Sequence, residues 1–282
     1  MTPFPANSHW VDRDSVRLHH LDWGNPDRPA LVLMHGARLH AQVWNHFVRR
    51  MHERFHIVAL DQRGHGDSGW SAQDGYHFEE LYRDLRAVVE ARGLERFTLI
   101  GHSLGGMVSM LYAHRHPETL QRLVLVDVAA GLPPVPPGTD LSRIAETPSP
   151  REFDSHDQAT DYLAGIMQLA PRYMVAESVR HGMRRTDTGR YTWKYDPALA
   201  HIRRPRSAAL DLWKMVETIP TPTLLQYGSH SRVVTPEIAV RMAQTMPRCA
   251  IERIENAGHA LFTDQPEAFA DSVERFLAGE PA

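Results

Sequence analysis

The sequence predicts an α/β fold with a doubly wound, mostly parallel sheet and an inserted helical cap. Short, continuous apolar runs, typical of strands buried on both faces, alternate with segments of helical periodicity from about residue 30 to residue 130. This alternation stops at a proline-rich stretch and returns near residue 219. We therefore assign residues 1–130 and 219–282 to a core domain and residues 131–218 to the cap, which 282 residues can accommodate.

The core domain begins with two alternating segments, residues 8–12 and 16–22, which predict an N-terminal hairpin. Four continuous apolar runs then predict buried strands, at residues 30–34, 56–60, 97–100 and 123–126. Between the second and third runs, residues 78–92 carry an apolar stripe at helical spacing. These elements follow one another in the order that a doubly wound sheet requires.

The cap begins where residues 131–137 supply four prolines. Helical patterns follow around residues 159–169, 172–183 and 208–218. The sheet is predicted to resume with strands at residues 223–227 and 250–254, separated by a helix that opens at residues 235–237. The final helix is predicted over residues 265–277, with Asp264 as its cap.

Composition narrows the classes of function. The formal net charge of -3, without a block of Lys or Arg, argues against a nucleic-acid partner. The single cysteine, Cys249, excludes an intrachain disulfide and a cysteine-based zinc cluster. The chain begins with neither a basic nor an apolar leader pattern, and no apolar run is long enough for a membrane helix, so we expect a cytoplasmic protein.

The motif that indicates chemistry is GHSLG at residues 101–105, between a predicted strand and a helical pattern. This is the G-x-S-x-G pattern in the strand–turn–helix context of a nucleophile elbow, with Ser103 as the nucleophile. Glycines on both sides allow a sharp turn, and the amides that open the next helix can stabilise an oxyanion. A serine hydroxyl also needs a base.

Four segments resemble the α/β-hydrolase superfamily, in particular its single-cap branch of esterases, lactonases, epoxide hydrolases and C–C hydrolases. They are LMHG at 33–36, DQRGHGDS at 61–68, the elbow, and GH at 258–259. The resemblance implies that His259, in the loop between the last strand and the last helix, is the base, and that the amides of Ala37 and Leu104 form the oxyanion hole. Epoxide hydrolases and haloalkane dehalogenases carry Asp at the elbow, so Ser103 argues against both.

The sequence departs from the superfamily pattern at the acid of the triad. Most relatives carry this acid three residues after a glycine, where this chain has Ser231, and no Asp or Glu occurs from Thr218 to Pro236. Some members instead place the acid after an earlier strand, which here corresponds to Asp127. Strand ends at this edge of an open sheet face the ligand crevice. We therefore predict that Asp127 orients His259, with a purely structural role as the alternative.

Other patterns allow two interpretations. Residues 64–69 match G-x-G-x-x-G but lack the helix and the distant acid of a dinucleotide site, so we interpret them as a structural loop. The paired histidines at 19–20 and at 114 and 116 lack a convincing third metal ligand. No cofactor or metal is therefore expected. Four aromatic residues either line a substrate pocket or belong to a core: Trp44, Tyr173, Trp193 and Trp213.

These observations predict a serine hydrolase that cleaves a carboxylic ester through an acyl-enzyme intermediate, with a small ester or lactone as its partner. The same residues are compatible with a lactonase or a C–C bond hydrolase. From a different class of function, a hydrolase-derived ligand receptor or a cofactor-free oxygen-chemistry enzyme would also carry them. The sequence predicts neither the physiological substrate nor the oligomeric state.

Overall fold

A computed structural model describes residues 6–71, 75–131, 152–201 and 211–279. The strands along these ranges are β1 (Asn7–Arg13), β2 (Val16–Asp22), β3 (Ala30–Met34), β4 (His56–Leu60), β5 (Phe97–His102), β6 (Leu120–Val126), β7 (Glu152–Phe153), β8 (Met183–Arg185), β9 (Tyr191–Trp193), β10 (Thr223–Gly228) and β11 (Cys249–Ile254). The helices are α1 (Asn45–Met51), α2 (Phe78–Ala91), α3 (Leu104–Arg115), α4 (His156–Ile166), α5 (Arg172–Gly182), α6 (Leu212–Val216), α7 (Pro236–Thr245), α8 (Leu261–Asp264) and α9 (Pro266–Ala278).

An eight-stranded sheet in the order β1-β2-β4-β3-β5-β6-β10-β11 forms the centre of the described structure. β1, β2 and β4 pair antiparallel, and every pair from β4 to β11 is parallel. The predicted mostly parallel, doubly wound α/β fold is therefore confirmed. The chain order reverses between β3 and β5, so their carboxyl ends flank the switch point where open α/β sheets bind ligands.

Helices cover both faces of the sheet, and this explains why its strands lack polar alternation. In β3, Val32 belongs to the core cluster shared with α2 and α3, whereas Leu31 and Leu33 belong to the cluster shared with α1 and α9. Successive side chains of a strand point to opposite faces, so a strand between two helical layers must be apolar at every position. All five residues of β3 and of β4 are buried for this reason.

Most predicted elements of the core domain are present with small differences in their bounds. The N-terminal hairpin is β1 and β2, and the first two apolar runs are β3 and β4 to the residue. The predicted capping role of Asp264 is wrong. The last helix, α9, begins at Pro266 after Gln265, and Asp264 instead ends the short helix α8.

The region predicted as a helical cap also contains a small sheet. β7, β9 and β8 pair antiparallel, and they pack with α4 and α5 around a separate apolar cluster that includes Phe153, Val175 and Met183. Strands of two or three residues are too short to show periodicity in the sequence. The prolines at 133–137 lie outside the described residues, and the boundaries of the cap remain a prediction.

Ion pairs join this region to the core domain on two sides. On one side Glu177 of α5 pairs with Arg49 of α1. On the other side Lys194, just after β9, pairs with Asp67 at a distance of 2.7 Å between Nζ and Oδ1. The region that follows β6 in the chain is thus attached to elements that precede β5.

The segment at 61–68 is a structural loop. The buried carboxylate of Asp61 accepts the amide hydrogens of Ala41 (2.6 Å) and Asp67 (2.9 Å) and contacts Nδ1 of His19 (2.7 Å). The ligand atoms of His19, Asp61 and Asp67 lie within 4.8 Å of one another, but Asp67 is already paired with the ammonium group of Lys194. Residues 70 and 71, directly after the glycine pattern at 64–69, are not helical, and the next described α-helix begins at Phe78, which does not fit a dinucleotide site.

Candidate active site

Ser103 lies in the sharp turn between β5 and α3, at the edge of the sheet where the chain order reverses. Its backbone has φ 50° and ψ -114°, a conformation that L-residues rarely adopt. Such strain costs about 1–3 kcal/mol and persists only where the surrounding contacts enforce it, which is common at functional sites. The structure therefore confirms the strand–turn–helix context that the GHSLG motif predicts.

Close packing explains the glycines around Ser103. A Cβ atom on Gly105 would lie 2.5 Å from the carbonyl oxygen of Met34, and one on Gly106 would lie 2.5 Å from Cγ1 of Val128. A Cβ atom on Gly101 would lie 2.7 Å from the carbonyl oxygen of Gly105. Side chains at these positions would push α3 away from β3 and β6. The glycines thus set the position of the helix whose first turn follows the nucleophile.

Replacing Gly105 with alanine is expected to lower both stability and activity. The new Cβ would meet backbone atoms, which cannot rotate away, so α3 must shift at a cost of about 1–3 kcal/mol. Chemical denaturation and ester turnover measure the two effects. The matched control is Gly165→Ala in α4, where a Cβ would meet nothing within 4 Å. If Gly105→Ala behaved like this control, the packing argument would be wrong.

The end of β3 lies directly beside the nucleophile. A Cβ atom on Gly36 would be 3.2 Å from Cβ of Ser103, and the amide of Gly105 donates to the carbonyl oxygen of His35 (3.2 Å). Ala37 follows in an exposed turn, and Leu104 is the first residue of α3. Amides of a first helical turn have no partner within the helix. The predicted oxyanion amides thus belong to two segments that meet at Ser103.

His259 and Asp127 form a direct hydrogen bond although 132 residues separate them in the chain. Nδ1 of His259 lies 2.6 Å from Oδ2 of Asp127. Asp127 is fully buried at the end of β6, whereas the side chain of His259 is 41% exposed in the loop after β11. A proton on Nδ1 that faces the carboxylate leaves Nε2 unprotonated and able to act as a base. The two residues that the sequence predicts to pair do meet.

Two further donors contact the carboxylate of Asp127. The amide of Gly228 lies 3.3 Å from Oδ1, and the hydroxyl of Ser231 donates to Oδ2 at 2.8 Å. From the sequence alone, Ser231 is assigned no role, because a serine cannot supply the negative charge of the triad acid. Ser231 stands where most superfamily members carry the acid, and that position faces the loop that carries His259. This was the signal in the sequence that could have indicated a role for Ser231.

His102 connects the turn of Ser103 to the loop that carries His259. Its Nε2 donates to the carbonyl oxygen of His259 (2.9 Å), and the two rings lie 4.6 Å apart between centroids. Burial lowers the pKa of His102 well below its usual value, and the adjacent His259 lowers it further. A neutral His102 with its proton on Nε2 can hold this hydrogen bond. Since Ser103 is the next residue in the chain, this contact holds the turn of Ser103 against the loop that carries His259.

A second carboxylate lies near the base, and it supports the backbone of the loop. Oδ2 of Asp264 accepts the amide hydrogen of Gly258 at 2.7 Å, one residue before His259. Burial raises the pKa of Asp264. The structure thus gives this residue a role in shaping the loop in place of the helix cap that the sequence predicts.

The four aromatic residues predicted for a pocket lie in different surroundings. Trp44 is fully buried in the core against Phe262, with ring centroids 4.5 Å apart. Trp213 packs beneath the guanidinium of Arg241. Like Trp213, the other two fall within residues 131–218, the predicted cap, and Tyr173 is exposed whereas Trp193 is half-buried. Core packing explains Trp44, and a pocket role for the others stays a prediction.

The sequence did not single out one cap residue that lies beside the base loop. A Cβ atom on Gly258 would be 3.7 Å from Cδ1 of Leu169, in the turn between α4 and α5. Leu169 is 40% exposed, and Ile166 and Tyr173 nearby in the chain are each 55% exposed. The region predicted as the cap therefore places the apolar side chain of Leu169 beside the loop that carries His259.

The chain resembles known proteins in both sequence and fold. A statistical model of the alpha/beta hydrolase family matches residues 31–272 of the chain. The chain belongs to the alpha/beta hydrolase family. The matched range includes the elbow, Asp127 and His259, and it spans the cap region. The protein is therefore a hydrolase of this family, as the sequence motifs predict.

Other alpha/beta hydrolases resemble the chain over almost its whole length. A mouse protein described as an sn-1-specific diacylglycerol lipase is 28% identical over an alignment 291 residues long. The alignment covers 99% of this chain and 87% of that protein. An alpha/beta hydrolase from Novosphingobium aromaticivorans has a TM-score of 0.84 at 25% identity and covers 97% of this chain and 98% of its own. An esterase from Mycobacterium tuberculosis has a TM-score of 0.76 at 26% identity, with coverage of 97% and 92%.

The length and apolar character of a helix decide whether it can cross a membrane. In the parts of the chain that the structure describes, no helix combines the length and the apolar character needed to cross a bilayer.

Proposed function

We propose that this hydrolase cleaves a carboxylic ester of a small molecule through an acyl-enzyme intermediate. The observation that carries the proposal is the 2.6 Å hydrogen bond between His259 and the buried Asp127, while strained Ser103 directly follows His102, whose Nε2 donates to the carbonyl oxygen of His259. An imidazole held by a carboxylate next to a serine is the arrangement that activates a hydroxyl for attack on a carbonyl carbon. Hydrolysis by this route needs only the ester, these side chains and water.

In the first half of the proposed reaction, Oγ of Ser103 attacks the ester carbonyl while Nε2 of His259 accepts its proton. The carbonyl oxygen becomes an oxyanion that the amides of Ala37 and Leu104 stabilise. The ester C–O bond then breaks, and His259 returns the proton to the departing alcohol. Asp127 holds the imidazolium during this step.

In the second half, His259 removes a proton from a water molecule, which attacks the acyl group on Ser103. The same two amides stabilise the second oxyanion. When this intermediate collapses, the bond from the acyl carbon to Oγ breaks, the carboxylic acid leaves, and the proton returns to Ser103. The side chain of His259 is 41% exposed, so water can reach the base.

The relatives support an ester as the bond that is cleaved. A diacylglycerol lipase and an esterase, both named as such, are similar to this chain over more than nine-tenths of its length. The exposed side chain of Leu169, beside the loop that carries His259, suits an alcohol or acyl group with apolar character.

The experiment that tests the proposal is a panel of p-nitrophenyl esters of increasing acyl length, measured beside lactones and a C–C hydrolase substrate of the ring-cleavage diketone type. We expect saturable ester turnover and a burst of p-nitrophenol equal to the amount of enzyme, because these activated esters should acylate Ser103 faster than water removes the acyl group. Turnover of lactones alone, or of diketones alone, would replace ester cleavage by that activity. Tight ligand binding without turnover would identify a receptor.

A further inference from the structure

We propose that Ser231 is a positioning residue that orients the acid of the triad through its hydroxyl group. The hydroxyl donates to Oδ2 of Asp127 at 2.8 Å, and the same oxygen accepts Nδ1–H of His259 at 2.6 Å. The inference rests on the proposed function, because it assigns Ser231 to the same triad. Ser231 acts on the base only through the carboxylate.

The hydrogen of the Ser231 hydroxyl has one direction available to it. Its oxygen accepts two backbone amides, from Val233 at 3.0 Å and from Val234 at 3.1 Å. A hydroxyl oxygen has two lone pairs and one hydrogen, so these two bonds use its accepting capacity. The remaining hydrogen can only be donated, and the acceptor within reach is Asp127. The donor role of Ser231 is therefore fixed by its surroundings.

Asp127 needs hydrogen-bond donors because its carboxylate is fully buried. Its backbone has φ 45°, and its side chain is fully buried, where an unpaired carboxylate would be costly. The amide of Gly228 lies 3.3 Å from Oδ1, whereas the two shorter hydrogen bonds, from Ser231 and His259, are made to Oδ2. With Ser231 in one lone-pair direction of Oδ2, the other direction is left for His259. The plane of the carboxylate is thereby set for the imidazole.

Ser231 also belongs to the same rigid unit as the base loop. The amide of His230 donates to the carbonyl oxygen of Ala257 at 2.8 Å, and a Cβ atom on Gly228 would lie 2.3 Å from the carbonyl oxygen of Gly258. The turn after β10 thus packs backbone against backbone on the loop that carries His259. The distance between the hydroxyl of Ser231 and the imidazole of His259 is fixed because both residues are attached to this unit.

The test compares Ser231→Ala with Ser231→Thr, which keeps the hydroxyl. We expect Ser231→Ala to lower kcat for a p-nitrophenyl ester about tenfold with KM changed less than twofold, because positioning affects the transition state. Ser231→Thr should recover most of the loss. Ser229→Ala is the matched control two residues away, since its hydroxyl has no hydrogen-bond partner among the described residues. If Ser231→Ala fails to fold, Ser231→Cys, a weaker donor of similar size, takes its place.

Two further readouts separate positioning from a merely structural role. Without the Ser231 donor the carboxylate holds the imidazolium more strongly, so the acid limb of the kcat/KM profile should move to higher pH. The other groups that face His259, namely Asp264 and His102, are the same in both proteins. The low-field proton resonance of Nδ1–H in His259 should also shift in Ser231→Ala and return in Ser231→Thr.

The outcomes decide the proposal in each case. An unchanged kcat, pH limb and low-field resonance in Ser231→Ala would overturn it, as would an equal loss in Ser231→Thr. A lower melting temperature with an unchanged kcat of the folded enzyme would leave Ser231 a purely structural residue. If the wild-type protein cleaved no ester, the proposed function would fail, and the low-field resonance would still test the role of Ser231.

Discussion

Replacing Ser103 with alanine is expected to lower kcat for ester cleavage by about 10⁴- to 10⁶-fold, the range seen when a triad nucleophile is removed from other serine hydrolases. The residual rate reflects the oxyanion amides and substrate binding, which the substitution leaves in place. The burst of p-nitrophenol should disappear, because no acyl group can accumulate. A fluorophosphonate that labels the wild-type protein at Ser103 should leave the variant unlabelled.

The fold is expected to tolerate this change. Alanine keeps the Cβ atom, so the strained backbone at φ 50° is neither relieved nor worsened, and the free energy of unfolding should change by less than about 1 kcal/mol. Ser103→Gly should be more stable than wild type, because glycine adopts positive φ without strain. Covalent labelling of a different serine, with full activity in Ser103→Ala, would refute the assignment of the nucleophile.

Replacing Asp127 with asparagine is expected to lower kcat by about 10³- to 10⁴-fold, by analogy with loss of the acid in other triads. Oδ2 accepts hydrogens from both His259 and Ser231, whereas an amide nitrogen at this position would present hydrogens to two donors. Turning the amide round would restore an acceptor without charge and would place its hydrogens against the amide of Gly228. In either orientation the imidazolium loses its counter-charge.

The control is Asp264→Asn, which removes a second buried carboxylate close to the same imidazole. An asparagine oxygen can still accept the amide of Gly258, so activity should stay within about tenfold, or 1.4 kcal/mol in the barrier. Steady-state kinetics of both variants decide between the two acids. If Asp127→Asn kept activity within tenfold while Asp264→Asn lost it, Asp264 would be the residue that supports His259.

The sequence alone was sufficient to predict the sheet and the elbow, because both depend on local patterns. Strands buried on both faces must be continuously apolar, so β3 and β4 could be located to the residue. The turn at Ser103 demands glycines at fixed spacing, which no other segment of the chain supplies in that context. Asp127 was found through the absence of any carboxylate near Ser231.

The remaining parts of the candidate site depend on contacts between distant segments. The hydrogen bond from Ser231 to Asp127 joins β10 to β6, and the one from His102 to His259 joins β5 to the loop after β11. No periodicity records such contacts. The role of Asp264 was misassigned because an acid three residues before Glu267 fits a capping pattern, although its carboxylate turns back to Gly258.

The separation of these residues along the chain has a consequence for the folding of the enzyme. The turn at Ser103 relies on β5, α3 and the neighbouring strands β3 and β6, but the bond between Asp127 and His259 spans 132 residues and requires β10 and β11 to pair beside β6. Contacts of such long range are entropically costly to close and tend to form late. A partly folded chain would then hold Ser103 without His259, and the proposed hydrolytic activity would arise only in molecules that have completed their sheet.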